Sequence, residues 1–188
     1  VSKKIFRSEK VFASAGQNSF SVKPVIFTLD KIPVEIGVNI EFDRWGIDFL
    51  DCSINTEDGV FVPVDMQFPF VRFKGYAGFE KFLIHLTNDV CAFYGKITGQ
   101  KADIIVAVDN QLSEVDESEM DFLVNLDLAV KNKVQLLFNP VLRGVIVPGT
   151  SLGFYLDTAT SDFVVKGDVA LRGGEIVWLN RSFYMKEG

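Results

Sequence analysis

Three stretches of the chain alternate apolar with polar residues, and no charge falls in the apolar register of any of them. Val34, Ile36, Val38, Ile40 and Phe42 form the first. Phe122, Val124, Leu126, Leu128 and Val130 form the second, and Phe163, Val165, Gly167, Val169 and Leu171 the third. The intervening register carries Glu35, Asn39 and Glu41, then Asn125 and Asp127, then Lys166 and Asp168. A period of two sends successive side chains to opposite faces, so each stretch reads as a strand with one greasy and one wet face. A greasy face has to be covered, and no helical pattern of comparable strength is present to cover it.

Strand-like runs recur with little pause, at 10–15, 19–29, 33–42, 45–55, 60–65, 68–74, 90–98, 102–109, 121–131, 133–138, 143–147, 153–158, 162–172, 174–179 and 182–186. Turn chemistry separates them: Ala15-Gly16-Gln17-Asn18, Asp43-Arg44, Glu57-Asp58-Gly59, Lys131-Asn132, Pro148-Gly149-Thr150 and Arg172-Gly173-Gly174. Short connections of this kind favour antiparallel neighbours. Many strands at close intervals predict an all-β fold, with sandwich, barrel and open sheet stack all left in play. Pro63, Pro69, Pro140 and Pro148 cannot donate to a ladder, which suits strand starts, bulges or edges. One segment departs from the pattern. Phe79, Phe82, Leu83 and Leu86 recur at spacings of three and four, which predicts one short helix near 76–89, although Phe82, Ile84 and Leu86 also fit a strand. The acidic run Ser113–Glu119 reads as a solvated connection. No clean linker divides the chain, so we expect a single β-rich module over 1–188, with the 110–120 connection separating sub-parts 1–110 and 120–188.

Hydrophobic residues make up 48% of the chain and charged ones 23%, which is globular rather than disordered. The net charge of −6, with no basic stripe, argues against a nucleic-acid partner. Glycine-rich phosphate loops, a GxSxG elbow and CxxC pairs are all missing, so the sequence offers no cofactor, metal or nucleophile signature. The lone histidine, His85, reads as a structural or surface residue. Asp48, Asp51, Asp65, Asp103 and Asp109 lie among apolar neighbours but form no acid pair that spacing can identify. Trp45 and Trp178 could stack on a sugar, yet each stands in an apolar register and reads first as core. Spacing leaves a disulfide between Cys52 and Cys91 undecided. No run approaches the roughly 20 apolar residues of a membrane-crossing helix. The chain starts at Val1 and stops directly after a strand-like segment, so we read both ends as cuts in a longer protein.

The last third carries a resemblance. A wet–dry strand, Leu126-Asp127-Leu128-Ala129-Val130, leads through Val134-Gln135-Leu136 to Asp162–Ile176, and the chain closes on Arg181–Gly188. This succession resembles the C-terminal region of TamB-type proteins (the translocation and assembly module family, DUF490) within the AsmA-like group. Gly167, Arg172-Gly173-Gly174, Phe183 and Gly188 stand at the matching places, over residues 120–188. The resemblance implies a long, mostly antiparallel sheet curled lengthwise into an open trough (β-taco-like) with an apolar interior. It implies a periplasmic location, with the parent protein anchored in the bacterial inner membrane. Two non-enzymatic roles follow from it: passing phospholipid acyl chains between inner and outer membrane, and supporting outer-membrane protein assembly with an Omp85-type barrel partner.

Elementary energetics are compatible with that role. Exposing acyl chains to water costs about 0.8 kcal/mol per CH₂, so a dry groove removes the barrier to their passage. An unpaired charge in the groove wall would be expensive, which fits the charge-free registers. The expected groove lining is Val34, Ile36, Val38, Ile40, Phe122, Val124, Leu126, Leu128, Val130, Phe163, Val165, Val169, Leu171, Ile176 and Trp178. The competing expectation is a closed β-sandwich acting as an adhesion or carbohydrate-binding module, whose two sheets fill each other's space at about 10 Å separation. A carrier of single lipids, with a closed-ended cavity, is a third.

Overall fold

Three strands of unusual length organise the molecule, and the sequence pattern breaks each of them in two. The computed structural model describes residues 6–8, 10–29, 31–44, 46–68, 71–107, 120–179 and 181–186. Among these, β1 (Phe6–Arg7), β2 (Ala13–Ala15), β3 (Ser19–Leu29), β4 (Ile32–Asp43), β5 (Gly46–Asn55) and β6 (Val62–Gln67) precede the long trio. The trio is β7 (Val71–Thr87), β8 (Val90–Ala107) and β9 (Asp121–Asn139). After it come β10 (Leu142–Ile146), β11 (Ser151–Asp157), β12 (Asp162–Lys166), β13 (Leu171–Trp178) and β14 (Arg181–Met185). The fold is all-β. The strands form one sheet ordered β1-β3-β4-β5-β7-β8-β9-β10-β13-β14, with β2 beside β3, β6 beside β7, and β11–β12 beside β9. Every pairing is antiparallel except β8–β9, which runs parallel. The ends of the path do not pair with each other, so the sheet is open and curled rather than closed into a barrel.

The predicted helix near 76–89 is not formed; those residues lie within β7 except for its last two, which turn into β8. The physical reason is a β-bulge. Between the pairs Glu80↔Lys96 and Leu83↔Tyr94, β7 supplies two residues where β8 supplies one. The extra residue stretches the inward spacing from two to three, so Phe79 and Phe82 both face in, and the sequence there mimics a helical step. Two more bulges follow the same logic. Lys101 and Ala102 of β8 stand opposite Gly75 alone, and β9 carries Lys131 as an extra residue between Val130 and Asn132. The expected turn at Lys131-Asn132 is therefore a bulge inside β9, and the expected gap between 98 and 102 is a bulge inside β8. Lys81 and Lys101 adopt left-handed φ of 50° and 47° at their bulges, and Lys133, two residues beyond the β9 bulge and level with Lys101, has φ 52°.

The bulges bend the trio, and the sheet forks on both sides of the bend. Along one edge of β7, residues 72–77 pair with β6 and residues 82–87 with β5. Along the far edge of β9, residues 123–129 pair with β11 and residues 134–138 with β10. Backbone groups left without a strand partner at the forks are satisfied locally. Thr56 N–H donates to the Phe79 carbonyl (2.9 Å), Phe79 N–H to Thr56 Oγ1 (2.9 Å) and Lys81 N–H to Asn55 Oδ1 (2.6 Å). At the other fork, Val130 N–H donates to the Thr150 carbonyl and Gly149 N–H to the Val130 carbonyl, both at 2.8 Å. The result is two arms. The first holds β1–β5, β11, β12 and the adjoining halves of the trio; the second holds β6, β10, β13, β14 and the other halves.

Two further expectations change. The third alternating stretch is not one strand: β12 ends at Lys166, Gly167 turns with φ 124°, and the chain re-enters the sheet at Leu171. Arg172-Gly173-Gly174 is not a turn but part of β13, where Gly173 (φ 72°) sits at a register shift against Gly144 and Ile146. The Ser113–Glu119 run lies outside the described residues.

The core is where the arms meet at the bend. Ala77, Val134 and Ile146 are fully buried, and Phe82, Ile104, Ile97 and Phe73 nearly so. The bend itself requires glycine at Gly95. Its φ is 113°, and a Cβ there would collide with the Lys81 carbonyl. Gly95→Ala should therefore lower stability by about 2 kcal/mol or more in urea unfolding. Gly59→Ala, at a turn with φ 80° and nothing within 4 Å of its Cβ position, should cost only about 1 kcal/mol.

Candidate functional site

Cross-strand register shows that the inner face is continuous. Val22, Val38, Cys52, Ile84, Phe93, Val124, Leu156 and Phe163 are successive partners across eight strands. In the second arm, Val71, Val106, Phe138, Leu142, Ile176 and Phe183 do the same across six. No polar or charged residue is buried among the described residues. In the strands between β3 and β13 the ion pairs lie on the opposite face and bridge neighbouring strands, while Arg181 of edge strand β14 shares the register of Phe183. Arg72 donates two 2.7 Å hydrogen bonds to Asp65, and Lys96 reaches Glu80 at 2.9 Å. These bonds hold both carboxyls below their usual range.

The inner face is covered in its middle and open on one flank. Where the arms meet, Phe73, Ile104, Leu126, Leu128, Phe154 and Leu156 surround an apolar cavity of about 50 Å³. Beside it, between β6 and the β3–β4–β5–β7–β8 floor, runs a furrow of about 460 Å³. Leu29, Val34, Ile36, Ile54, Ile84 and Phe93 line its floor, and Val62, Val64 and Met66 its opposite wall. Phe68, at the end of β6, borders both spaces. Its ring meets Phe93 edge-on at 5.1 Å, and Phe82 packs against Phe79 at 5.0 Å. The furrow has the size of a small-ligand site, but only Asp65 and Gln67 at its rim offer polar side chains. Such a site can hold hydrocarbon and has little with which to read a head group.

The expected lining residues divide by position. Val34 and Ile36 line the furrow, with Val38 and Ile40 farther along the same face of β4. Phe122, Val124, Leu126, Leu128 and Val130 share the inner face of β9. All but Phe122 are buried beneath the second arm, so they form core rather than open wall. Phe163 and Val165 extend the face to the edge strand, where they are 43% and 44% exposed. Leu171 and Ile176 lie on the inner face of the second arm, opposite Ile146 and Leu142. Val169 lies outside any strand and is exposed. The Trp178 side chain, Trp45 and Asp109 lie outside the described residues. The sequence reading passed over Leu29, Ile54, Val62, Val64, Met66, Phe68, Ile84 and Phe93. The alternations Leu50-Cys52-Ile54 and Val62-Val64-Met66 carried the signal, but each run is short.

No group of three or more potential metal ligands occurs among the described residues. His85 sits on the outer face, its Nδ1 2.6 Å from Asp51 Oδ1, and both side chains remain about one-third exposed. Cys52 and Cys91 are free thiols. Both face inward, on β5 and β8, with β7 between them. Two strand spacings, about 10 Å, exceed the reach of a disulfide. Burial pushes both thiols above their ordinary value. A raised folded value favours the fold at neutral pH, and that contribution is lost as the medium turns alkaline enough to ionise the unfolded thiols. At pH 8 both should alkylate several-fold more slowly than in urea-unfolded chain, as a timed iodoacetamide reaction read by mass spectrometry will show. Compared with known proteins, the chain matches no family model, no curated protein and no solved structure.

Proposed function

We propose that this chain is a non-enzymatic module that holds phospholipid acyl chains on its apolar inner face. Following the resemblance of residues 120–188, it serves as a segment of a TamB-type periplasmic conduit. In that setting the parent protein is anchored in the inner membrane, passes lipid toward the outer membrane, and supports barrel assembly with an Omp85-type partner. One observation carries the reading: an unbroken eight-strand row of uncharged inner-face side chains, continued by an open furrow of about 460 Å³. Hydrocarbon is the ligand such a wall accepts without leaving a polar group unsatisfied.

A second reading, a β-sandwich adhesion or carbohydrate-binding module, is favoured by the filled middle of the interior, where the cavity between the arms is only about 50 Å³. The two readings differ over the furrow. Ile36 lies on its floor and Ile26 on the opposite face, where it is 55% exposed. On the conduit reading, native mass spectrometry of the purified chain finds bound phospholipid, and the chain accelerates transfer of a fluorescent phospholipid between vesicles. Ile36→Asp should then reduce both at least about tenfold, since an unpaired charge in an apolar site costs several kcal/mol. Ile26→Asp should leave both unchanged. A folded wild-type chain that carries no lipid and transfers none would remove the conduit reading and leave the sandwich module.

A further inference from the structure

The edges of an open sheet are templates for further pairing unless something blocks them. Edge strand β6 is guarded by Pro63 and by the charged pair Asp65–Arg72. Edge strand β12 carries neither a proline nor a bulge; among the described strands it pairs with β11, and all five of its residues are exposed. Its centre presents three consecutive apolar residues, Phe163, Val164 and Val165, at 43%, 40% and 44% exposure.

The sequence of that edge, Asp162-Phe163-Val164-Val165-Lys166, is complementary to itself when reversed. An antiparallel second copy, centred on Val164, sets Asp162 against Lys166 of the second copy, and Lys166 against its Asp162. Phe163 then faces the second copy's Val165 on the inner side. Neither Asp162 nor Lys166 makes an ion pair within the chain among the described residues. Within the chain Asp162 stands directly opposite Asp157, a like-charge pairing that a lysine on its other side would offset. β14, by contrast, would set Arg181 against Met185 in the same arrangement, with no such match.

We propose that β12 is a homodimerisation edge, at which two copies of this chain join antiparallel about a two-fold axis through Val164. The axis stands perpendicular to the sheet, so both inner faces end on the same side. The eight-strand apolar row from Val22 to Phe163 then runs on into the second copy. This inference does not depend on what the face binds. Five paired residues make a small interface, so the dimer is weak and its population varies with concentration.

Sedimentation of the purified chain over a wide concentration range tests this. The wild type should pass from monomer to dimer as concentration rises. Asp162→Lys should weaken association about tenfold or more, because two attractive pairs become two repulsive ones. The double exchange Asp162→Lys with Lys166→Asp should restore it. Val164→Cys should yield an interchain disulfide on mild oxidation that the wild-type chain, with its half-buried thiols, does not form. A wild type that stays monomeric throughout overturns the proposal. So does a dimer indifferent to Asp162→Lys, or one that the exchange fails to rescue. Preferential capture of an added apolar peptide by a chain that does not self-associate would assign the edge to a different occupant.

Discussion

The bend in β7, β8 and β9 is the constraint on which the rest of the structure depends. Straight strands of 17, 18 and 19 residues would form a flat ribbon of roughly 60 Å at about 3.3 Å per residue. Their inner faces would then meet nothing but solvent. Bulges at Lys81, Lys101 and Lys131 turn that ribbon back on itself, so that Phe73 and Ile104 of one arm approach Leu126 and Leu156 of the other. The cost is backbone strain. Lys81, Lys101 and Lys133 each hold a left-handed conformation that costs an ordinary residue about 1–2 kcal/mol. Lys101 and Lys133 also stand side by side across the parallel β8–β9 pair, since their flanking residues are partners there. Long side chains that extend into water keep these charges out of the core, and burial of the phenylalanines at the bend offsets the strain.

Segregation of charge follows from the same geometry. A sheet that faces itself across a bend has one interior, and each strand contributes alternate residues to it. An ionised group in that register would be desolvated without a partner, so the registers of β4, β9 and β12 exclude charge. The outer registers show the converse. Glu80, Lys96 and Asp127 are successive cross-strand neighbours, and Lys96 is held in its charged form first by its hydrogen bond to Glu80 and further by Asp127. These exposed pairs contribute little to stability. Their structural effect is on register, because a slip of one residue would bring a charge inward.

Period-two alternation was enough to read the all-β class, and it placed Val34 to Ile40, Phe122 to Val130, and Phe163 with Val165 on inner faces. What alternation could not reveal was where the period changes phase. A bulge inserts one residue, and in sequence that insertion resembles a helical step at Phe79–Phe82, a gap near Lys101 and a turn at Lys131-Asn132. The first two signs accompany left-handed backbone at Lys81 and Lys101, and the third lies two residues before left-handed Lys133; lysine is a residue type with no special preference for that conformation. Which parts of the greasy face are covered was likewise illegible. Leu126 and Ile36 look alike in sequence, yet one lies under the opposing arm and the other on the furrow floor. The approach of the opposing arm decides between them: Phe73 and Ile104 close on Leu126, whereas β6 stands off from Ile36 across the furrow.

The furrow itself follows from the fork. β5 and β6 both pair with the same edge of β7, but on opposite sides of the bulge at Lys81, so they diverge and leave a gap between them. Because Thr56 and Asn55 satisfy the β7 backbone at the point of divergence, no strand is needed to fill that gap. The flanking side chains Val62, Val64, Ile36 and Ile54 remain apolar because they belong to registers that are buried elsewhere along the same strands. An open hydrocarbon-lined space therefore arises without any dedicated ligand residue. A space formed in this way offers exclusion of water and little else to a ligand. On the proposed conduit reading, its occupants would be selected by length and apolarity, and Phe68, which borders both this space and the one between the arms, would set how far they reach.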